Sequence, residues 1–162
     1  MRRSPERRAR GFSLIELVVT VAILGLLASV AVPFVQIVEQ RKKEAELREA
    51  LHTIRFAIDR YKQAVSDKKI LATADTSGYP PSLDVLAAGV PDASKPDDSR
   101  IYFLRRLPRD PFFPDPSAQP ADSWGKRSYE SPPDSPAEGR DVFDVYSLSD
   151  KKGLNGVPYR EW

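Results

Sequence analysis

The sequence predicts an α+β protein in which a long N-terminal α-helix packs on a small antiparallel β-sheet with long loops. Three observations support this prediction. Residues 17–38 form an uncharged apolar run, residues 39–67 carry an amphipathic helical pattern, and the chain beyond residue 78 alternates short β-prone segments with proline-rich loops. The first two features indicate a single helix of about 55 residues. The third indicates its partner, so the 162 residues hold one modest domain.

The apolar run is long enough to cross a membrane. Its 22 residues would extend about 33 Å as a helix, against a hydrocarbon core of roughly 30 Å. Five arginines precede the run, and such residues favour the cytoplasmic side. Three segments fit this pattern. They are a secretory signal peptide cut near Ala28–Ala31, an uncleaved anchor, and a leader whose basic part alone is removed. Apolar sequence continues past Ala31 to Val38, which argues against the first.

Residues 39–77 continue the helix as an amphipathic half, because no glycine or proline occurs between Phe34 and Ser77. Apolar residues recur there at alternating steps of four and three, which places them on one helical face. They are Leu47, Leu51, Ile54, Ile58, Tyr61 and Val65. This face requires a cover, and the C-terminal region is the available one.

The C-terminal region, residues 78–162, is predicted to supply that cover through short elements. Gly78–Pro81 breaks the helix, and Ser82 starts a short second helix. Three segments favour strands: 101–104, 142–146 and, more weakly, 127–130. The loops at 90–100, 108–123 and 131–140 have a composition typical of disorder. Aromatic residues placed at intervals indicate a folded region instead: Tyr102, Phe103, Trp124, Tyr129, Phe143 and Tyr146.

Composition argues against an enzyme and against a nucleic-acid-binding protein. The net charge of +2 comes from the first ten residues, and the remainder has 20 basic and 22 acidic side chains, without a clustered basic face. The chain has no cysteine, which excludes disulfides, thiol catalysis and zinc–thiolate sites. The single histidine, His52, is interpreted as a partly exposed helix residue. No phosphate-binding loop, nucleophile elbow or His–carboxylate metal pair occurs.

Residues 10–17, Arg-Gly-Phe-Ser-Leu-Ile-Glu-Leu, resemble the recognition site of prepilin peptidase. With the long uncharged run that follows, the chain is identified as a member of the type IV pilin-like superfamily and its pilin fold. The resemblance implies a leader of residues 1–11, cleavage between Gly11 and Phe12 on the cytoplasmic face, and N-methylation of Phe12. Residues 12–38 then form the transmembrane and polymerisation helix.

Glu16 has two compatible interpretations. Ser13 and Glu16 match a capping box, and the carboxylate faces the positive end of the helix dipole. An ionised carboxylate at the edge of an apolar span costs several kcal/mol unless it is paired. The resemblance implies that its partner in the polymer is the Phe12 amine of a neighbouring subunit.

Gly25 and Pro33 are predicted to weaken the apolar helix. Both residue types are common in transmembrane helices, and Pro33 removes a backbone hydrogen bond and clashes with the carbonyl of Ser29. In filaments of the superfamily, the segment between such a pair can unwind when packed.

Four further landmarks resemble the major pseudopilins of type II secretion systems. In chain order they are Tyr79-Pro80, Leu107-Pro108-Arg109-Asp110-Pro111, Trp124-Gly125 and Phe143-Asp144-Val145-Tyr146-Ser147. Two departures stand out. Residues 112–123 intervene where the family commonly joins Asp-Pro to Trp-Gly, and the last loop lacks the usual Gly-Ala-Asp-Gly.

The resemblance implies a structural subunit without enzyme activity. It would sit in the bacterial inner membrane with a cytoplasmic N-terminus and a periplasmic domain, and then polymerise into a periplasmic filament for export of folded proteins. Implied partners are other copies of the chain, prepilin peptidase, an inner-membrane assembly platform, minor pseudopilins and, before assembly, lipid; no nucleic acid is expected. One alternative is a type IV pilus subunit for adhesion, motility or DNA uptake, although many of those carry a C-terminal cysteine pair. The other is a membrane-anchored periplasmic module that never polymerises and would have no use for Glu16.

The final loop binds calcium in members of the resembled family. Calcium takes six to eight oxygen ligands, and the resemblance places Asp150 as a ligand, with Asn155 able to add a carbonyl oxygen. Lys151 and Lys152 bring positive charge beside that position, and Asn155-Gly156 is also a plain turn signal. Calcium at Asp150 and Asn155 is therefore an expectation weighed against a solvated turn.

Overall fold

The structure is a computed structural model that describes residues 11–73 and 75–162, with the side chains of residues 30–33 outside the description. The chain divides into two compact units between Gln40 and Arg41. Most of the predicted leader lies outside the described residues.

The predicted long helix is present as α1, Leu14–Ser66, a single assigned helix of 53 residues. Its helical assignment continues through Gly25 and position 33. The predicted unwinding between these residues concerns the packed filament, for which it stays a prediction.

The helix ends earlier than the predicted residue 77. Lys68 adopts a left-handed conformation, with a φ of 60°. The Lys68 amide donates to the Val65 carbonyl at 3.0 Å and the Lys69 amide to the Ala64 carbonyl at 2.9 Å. These two bonds form a Schellman motif, which usually has glycine at the left-handed position. The predicted helix was too long because the prediction looked for a glycine or proline to end it, and a lysine takes the left-handed position instead.

The predicted helical stripe is confirmed. Leu47, Leu51, Ile54, Ile58 and Tyr61 are all buried, and Val65 packs against the same core. Small residues of α1 complete the buried face: Ala50, Ala57 and Ala64. The core lies entirely within the unit that begins at Arg41.

The C-terminal region covers this face with short elements. They are α2, Asp84–Ala88; β1, Val90–Pro91; β2, Arg100–Ile101; a 3₁₀ turn, Pro120–Ser123; β3, Trp124–Arg127; β4, Asp144–Ser147; and a second 3₁₀ turn, Tyr159–Glu161. β1 pairs with β2 and β3 with β4, both antiparallel, and Trp124 lies opposite Ser147. The α+β class is correct, but the described strands form two separate two-stranded sheets instead of one sheet of about three strands.

Two predicted strands were placed wrongly for an identifiable reason. Residues 103–104 do not continue β2, because the amides of Phe103 and Leu104 both donate to the Leu86 carbonyl in α2. The strand predicted at 127–130 overlaps only the last residue of β3, which ends at Arg127. The Ser128 amide donates to the Ala137 carbonyl instead of to a neighbouring strand. In both places a contact distant in sequence overrides the local preference for an extended chain.

Candidate functional site

The predicted cleavage and assembly residues lie at the start of α1. Gly11, Phe12 and Ser13 precede the helix, and Glu16 lies in its first turn. The Ser13 carbonyl accepts the amide of Leu17 at 3.1 Å, which makes Ser13 the residue that enters the helix. Phe12 is 78% exposed, and a side chain at Gly11 would meet no atom within 4 Å. Both sides of the predicted scissile bond are therefore open to another protein.

The apolar half of α1 has no cover in the described chain. Every residue described with its side chain between 11 and 39 is exposed. Large apolar side chains dominate this surface, among them Leu14, Ile15, Leu24, Leu26 and Phe34. By length and composition α1 could cross a membrane, and it is the one helix in the described residues that meets this test. We call residues 11–39 the assembly segment.

The four sequence landmarks of the C-terminal region lie next to one another in the structure or next to a residue that adjoins a landmark. The Val142 amide donates to the Pro80 carbonyl at 2.8 Å, and Trp124 Nε1 donates to the Pro108 carbonyl at 2.9 Å. A side chain at Gly125 would collide with the Tyr146 ring on the paired strand. Residues that are distant in sequence thus form one connected structure beside α1.

Arg55 connects α1 to the last strand. Its Nε donates to Asp144 Oδ1 at 2.8 Å, and its Nη2 donates to the Val145 carbonyl at 3.1 Å. Arg127 approaches the other oxygen of Asp144 at 3.8 Å. Both carboxylate oxygens of Asp144 therefore face arginines, and the Arg55 bonds join β4 to α1.

The inserted residues 112–123 fold back on the landmark that precedes them. The Arg109 guanidinium donates to the carbonyls of Ala118 and Asp115. The Ser123 hydroxyl accepts the Asp110 amide at 3.1 Å, and the Phe112 ring stacks on Tyr159 with a centroid distance of 4.1 Å. The insertion is thus an ordered part of the domain that reaches the C-terminal loop.

Two carboxyl groups of the domain with a lowered pKa stabilise turns. The hydroxyl and amide of Ser94 donate to Asp92, and these bonds lower the pKa of the Asp92 carboxyl. The Ser117 hydroxyl and amide lower the pKa of the Asp115 carboxyl in the same way. His52 is exposed, as predicted, and stacks on Phe56. The geometry of these groups stabilises turns and offers no arrangement for acid–base catalysis.

Asp150 and Asn155, the predicted calcium ligands, have protein partners that do not fit a cation. Asp150 Oδ1 accepts Arg160 Nη2 at 3.4 Å, with the Asp150 side chain 91% exposed. Asn155 Oδ1 accepts the Val157 amide at 3.1 Å. In the described part of the chain no three acidic or histidine side chains are grouped for a metal. Calcium binding stays a prediction, and this donor set argues against it.

Two buried carboxylates are absent from the sequence prediction as functional residues. Asp110 is 3% exposed and Glu44 is 4% exposed. Asp110 belongs to a landmark, but nothing in the local sequence indicates its burial. Glu44 does carry a signal, because it continues the stripe at a step of three before Leu47. A charged residue on the apolar face of a helix indicates that the part of the chain packed on this face supplies a hydrogen-bond donor or an opposite charge.

Comparison with known proteins agrees with the N-terminal motif and the landmarks. The family model described as the prokaryotic N-terminal methylation motif matches residues 7–32. A type II secretion system core protein G of Klebsiella pneumoniae is 33% identical over 113 residues, covering 67% of this chain and 73% of that protein. The Vibrio cholerae protein of the same name is 30% identical over 146 residues, covering 88% and 81%.

A further relative with the same name, from Dickeya chrysanthemi, is 34% identical over 111 residues. That alignment covers 66% of this chain and 65% of the relative, just under two thirds of its length. No solved structure matches the chain significantly.

Proposed function

The chain belongs to the family of type II secretion system core protein G, the major pseudopilins of the type IV pilin-like superfamily, and we propose that it polymerises into a periplasmic filament that drives export of folded proteins. Its role is that of a structural subunit. We expect it to be a substrate of prepilin peptidase and not an enzyme itself.

The observation that carries this proposal is the uncovered apolar surface of the assembly segment. The side chains described there are exposed in the isolated chain, including Leu14, Leu24 and Phe34. A continuous apolar surface of this size is covered in a cell by lipid or by another protein. Lipid covers this surface before assembly, and the equivalent helices of neighbouring copies cover it in the filament.

The proposed topology follows from charge and length. The basic residues before Gly11 stay in the cytoplasm, where the peptidase cuts between Gly11 and Phe12 and Phe12 is N-methylated. The domain beginning at Arg41 lies in the periplasm. The inner-membrane assembly platform and the minor pseudopilins are further proposed partners.

Glu16 supplies the polar contact that a helical polymer of this kind requires. Helices packed against one another through their apolar surfaces would bury the Glu16 carboxylate, which is costly without an opposite charge. Cleavage creates a positively charged amine at Phe12, and the resemblance pairs this amine with Glu16 of a neighbouring copy. The pair would set the axial register of the subunits.

Neither alternative function is favoured by a particular observation. The matched relatives all carry the name of the secretion component, whereas a type IV pilus subunit would resemble the pilus proteins more closely. A module that never polymerises would gain nothing from a carboxylate in the first turn of a membrane helix.

Replacement of Glu16 by alanine tests the proposal. In cells that express the secretion system, Glu16→Ala should give a cleaved, membrane-inserted subunit at normal abundance, because the partner of this carboxylate belongs to another molecule. Filaments recovered by shearing should fall at least tenfold. Glu49→Ala, at an exposed glutamate in the periplasmic half of α1, is the matched control and should leave filament yield unchanged. Glu16→Ala filaments of normal yield and symmetry would contradict the proposed contact.

A further inference from the structure

The terminal loop, residues 148–162, is joined to α1 by a buried carboxylate. Glu44 Oε1 accepts the backbone amide of Leu154 at 2.8 Å and the hydroxyl of Tyr159 at 3.0 Å. The Glu44 residue is 4% exposed and Tyr159 is 1% exposed. Hydrogen bonds to an ionised acceptor are about twice as strong as neutral ones. Both join residues more than a hundred positions apart in the chain.

Aromatic contacts surround this junction. Tyr159 lies between the Phe112 ring, stacked at 4.1 Å, and the Trp162 ring, edge-on at 5.0 Å. The Arg48 guanidinium, one helical turn after Glu44, lies 4.2 Å from the centroid of Trp162 and 4.0 Å from Glu44 Oε2. Residues of α1 thus hold both the hydroxyl of Tyr159 and the ring next to it.

The loop itself closes as a small hairpin through protein donors. The Gly153 amide donates to the Val157 carbonyl at 2.9 Å, and the Gly156 amide donates to the Gly153 carbonyl at 2.8 Å. Gly156 has a φ of 81°, which an L-residue adopts only with strain. The Tyr159 amide donates to the Lys151 carbonyl at 3.1 Å.

The charges of the loop disfavour a divalent cation at the expected position. Lys151 and Lys152 follow Asp150 directly, and Arg160 already pairs with it. Positive side chains close to a cation repel it, so they weaken its binding at this position. The one buried carboxylate of the region, Glu44, faces N–H and O–H donors, which cannot share its oxygen with a metal at low cost.

We propose that the Glu44 carboxylate holds the terminal loop on α1 in place of a calcium ion, so that the fold of this protein does not depend on calcium. The loop is anchored by an anion from the helix and N–H and O–H donors from the loop. In the expected calcium site the loop would instead supply oxygens to a cation. This inference concerns the folding of the domain and is independent of whether filaments form.

Thermal unfolding of the detergent-solubilised full chain tests the inference. In millimolar calcium and in excess chelator the melting temperature should agree within about 1 °C, whereas a site filled at a hundredfold excess over its dissociation constant would raise it by about 10 °C. Glu44→Ala should lower the melting temperature by about 10 °C in both buffers, because it removes the carboxylate that accepts from the buried Tyr159 hydroxyl and the partly buried Leu154 amide. Glu46→Ala, an exposed glutamate on the same helix, should change it by no more than about 2 °C.

Milder variants keep the test decisive if Glu44→Ala fails to fold. Tyr159→Phe removes only the hydroxyl, and Glu44→Gln keeps an acceptor without the charge. Each should lower the melting temperature by several degrees, and the double variant should lose less than the sum, because the two groups share one hydrogen bond. A calcium-dependent rise that Asp150→Ala abolishes would overturn the inference. So would strictly additive losses in the double variant, or a Glu44→Ala chain as stable as Glu46→Ala.

Discussion

Replacement of Asp110 by alanine should destabilise the domain severely. Asp110 Oδ1 accepts the Phe112 amide at 2.7 Å, and Oδ2 accepts the Ser147 hydroxyl of β4. Asp110 is 3% exposed and Ser147 is fully buried. The carboxylate therefore connects the landmark at 107–111 to the last strand from within the protein.

The magnitude follows from the donors that Asp110→Ala leaves behind. A hydrogen bond to a charged group contributes about 1.5–3 kcal/mol, and a buried donor without an acceptor incurs its full desolvation penalty. Two such bonds give a loss of roughly 3–5 kcal/mol, a large part of a typical stability of about 5–15 kcal/mol. For a domain of this size the melting temperature should fall by roughly 10–20 °C.

Asp115 provides a matched control. Its Oδ1 accepts the amide and hydroxyl of Ser117 at 2.8 and 2.7 Å, so it makes the same type of turn at an exposed position. Circular dichroism melts of the detergent-solubilised chain should show Asp115→Ala within about 2 °C of the parent. Asp110→Asn should be intermediate, since it keeps an acceptor for the Phe112 amide. Equal melting temperatures for Asp110→Ala and Asp115→Ala would refute the reasoning from burial.

Two further predictions concern processing and packing. Intact-mass analysis of membrane-extracted protein should show a chain that begins at Phe12 with one added methyl group, and Gly11→Ala should be cleaved far better than a bulkier replacement; full-length protein, or a terminus near Ala31, would contradict the prepilin interpretation. Ile54→Ala should cost about 2–5 kcal/mol because Ile54 is fully buried, whereas Phe56→Ala, at a residue 58% exposed, should cost about 0.5 kcal/mol or less. Comparable losses in the two denaturation midpoints would show that the stripe is not the packed face.

The long helix and its buried stripe could be predicted from the sequence because both depend on local periodicity. A recurrence of apolar residues at steps of three and four holds for any partner that covers them. The end of α1 could not be predicted in this way, because Lys68 takes a conformation that usually selects glycine. The bonds of the Schellman motif and the burial of Ile70 after it stabilise a turn that composition does not indicate.

The sheets were harder to predict because their strands are very short and depend on contacts distant in sequence. β2 has two residues, and the next amides bind α2 instead of another strand. The predicted aromatic cover was also only partly correct. Phe103 and Trp124 are buried, but Tyr102 and Tyr129 are each 58% exposed. Aliphatic residues such as Leu83 and Val145 fill the core in their place.

Glu16 and Glu44 present the same physical problem on one helix, and comparing them supports the assignment of their roles. Each places a carboxylate within an otherwise apolar surface, where it needs hydrogen-bond donors or a positive charge. Glu44 finds Leu154 and Tyr159 within its own chain. Glu16 is exposed, and no described residue donates to it. Cleavage after Gly11 would remove the five arginines of residues 1–10 and create an amine at Phe12, which would offer the carboxylate a new positive charge when the assembly segment is buried. In the proposed filament that source would lie at the end of an identical helix, so the same carboxylate chemistry would stabilise the fold at Glu44 and the assembly at Glu16.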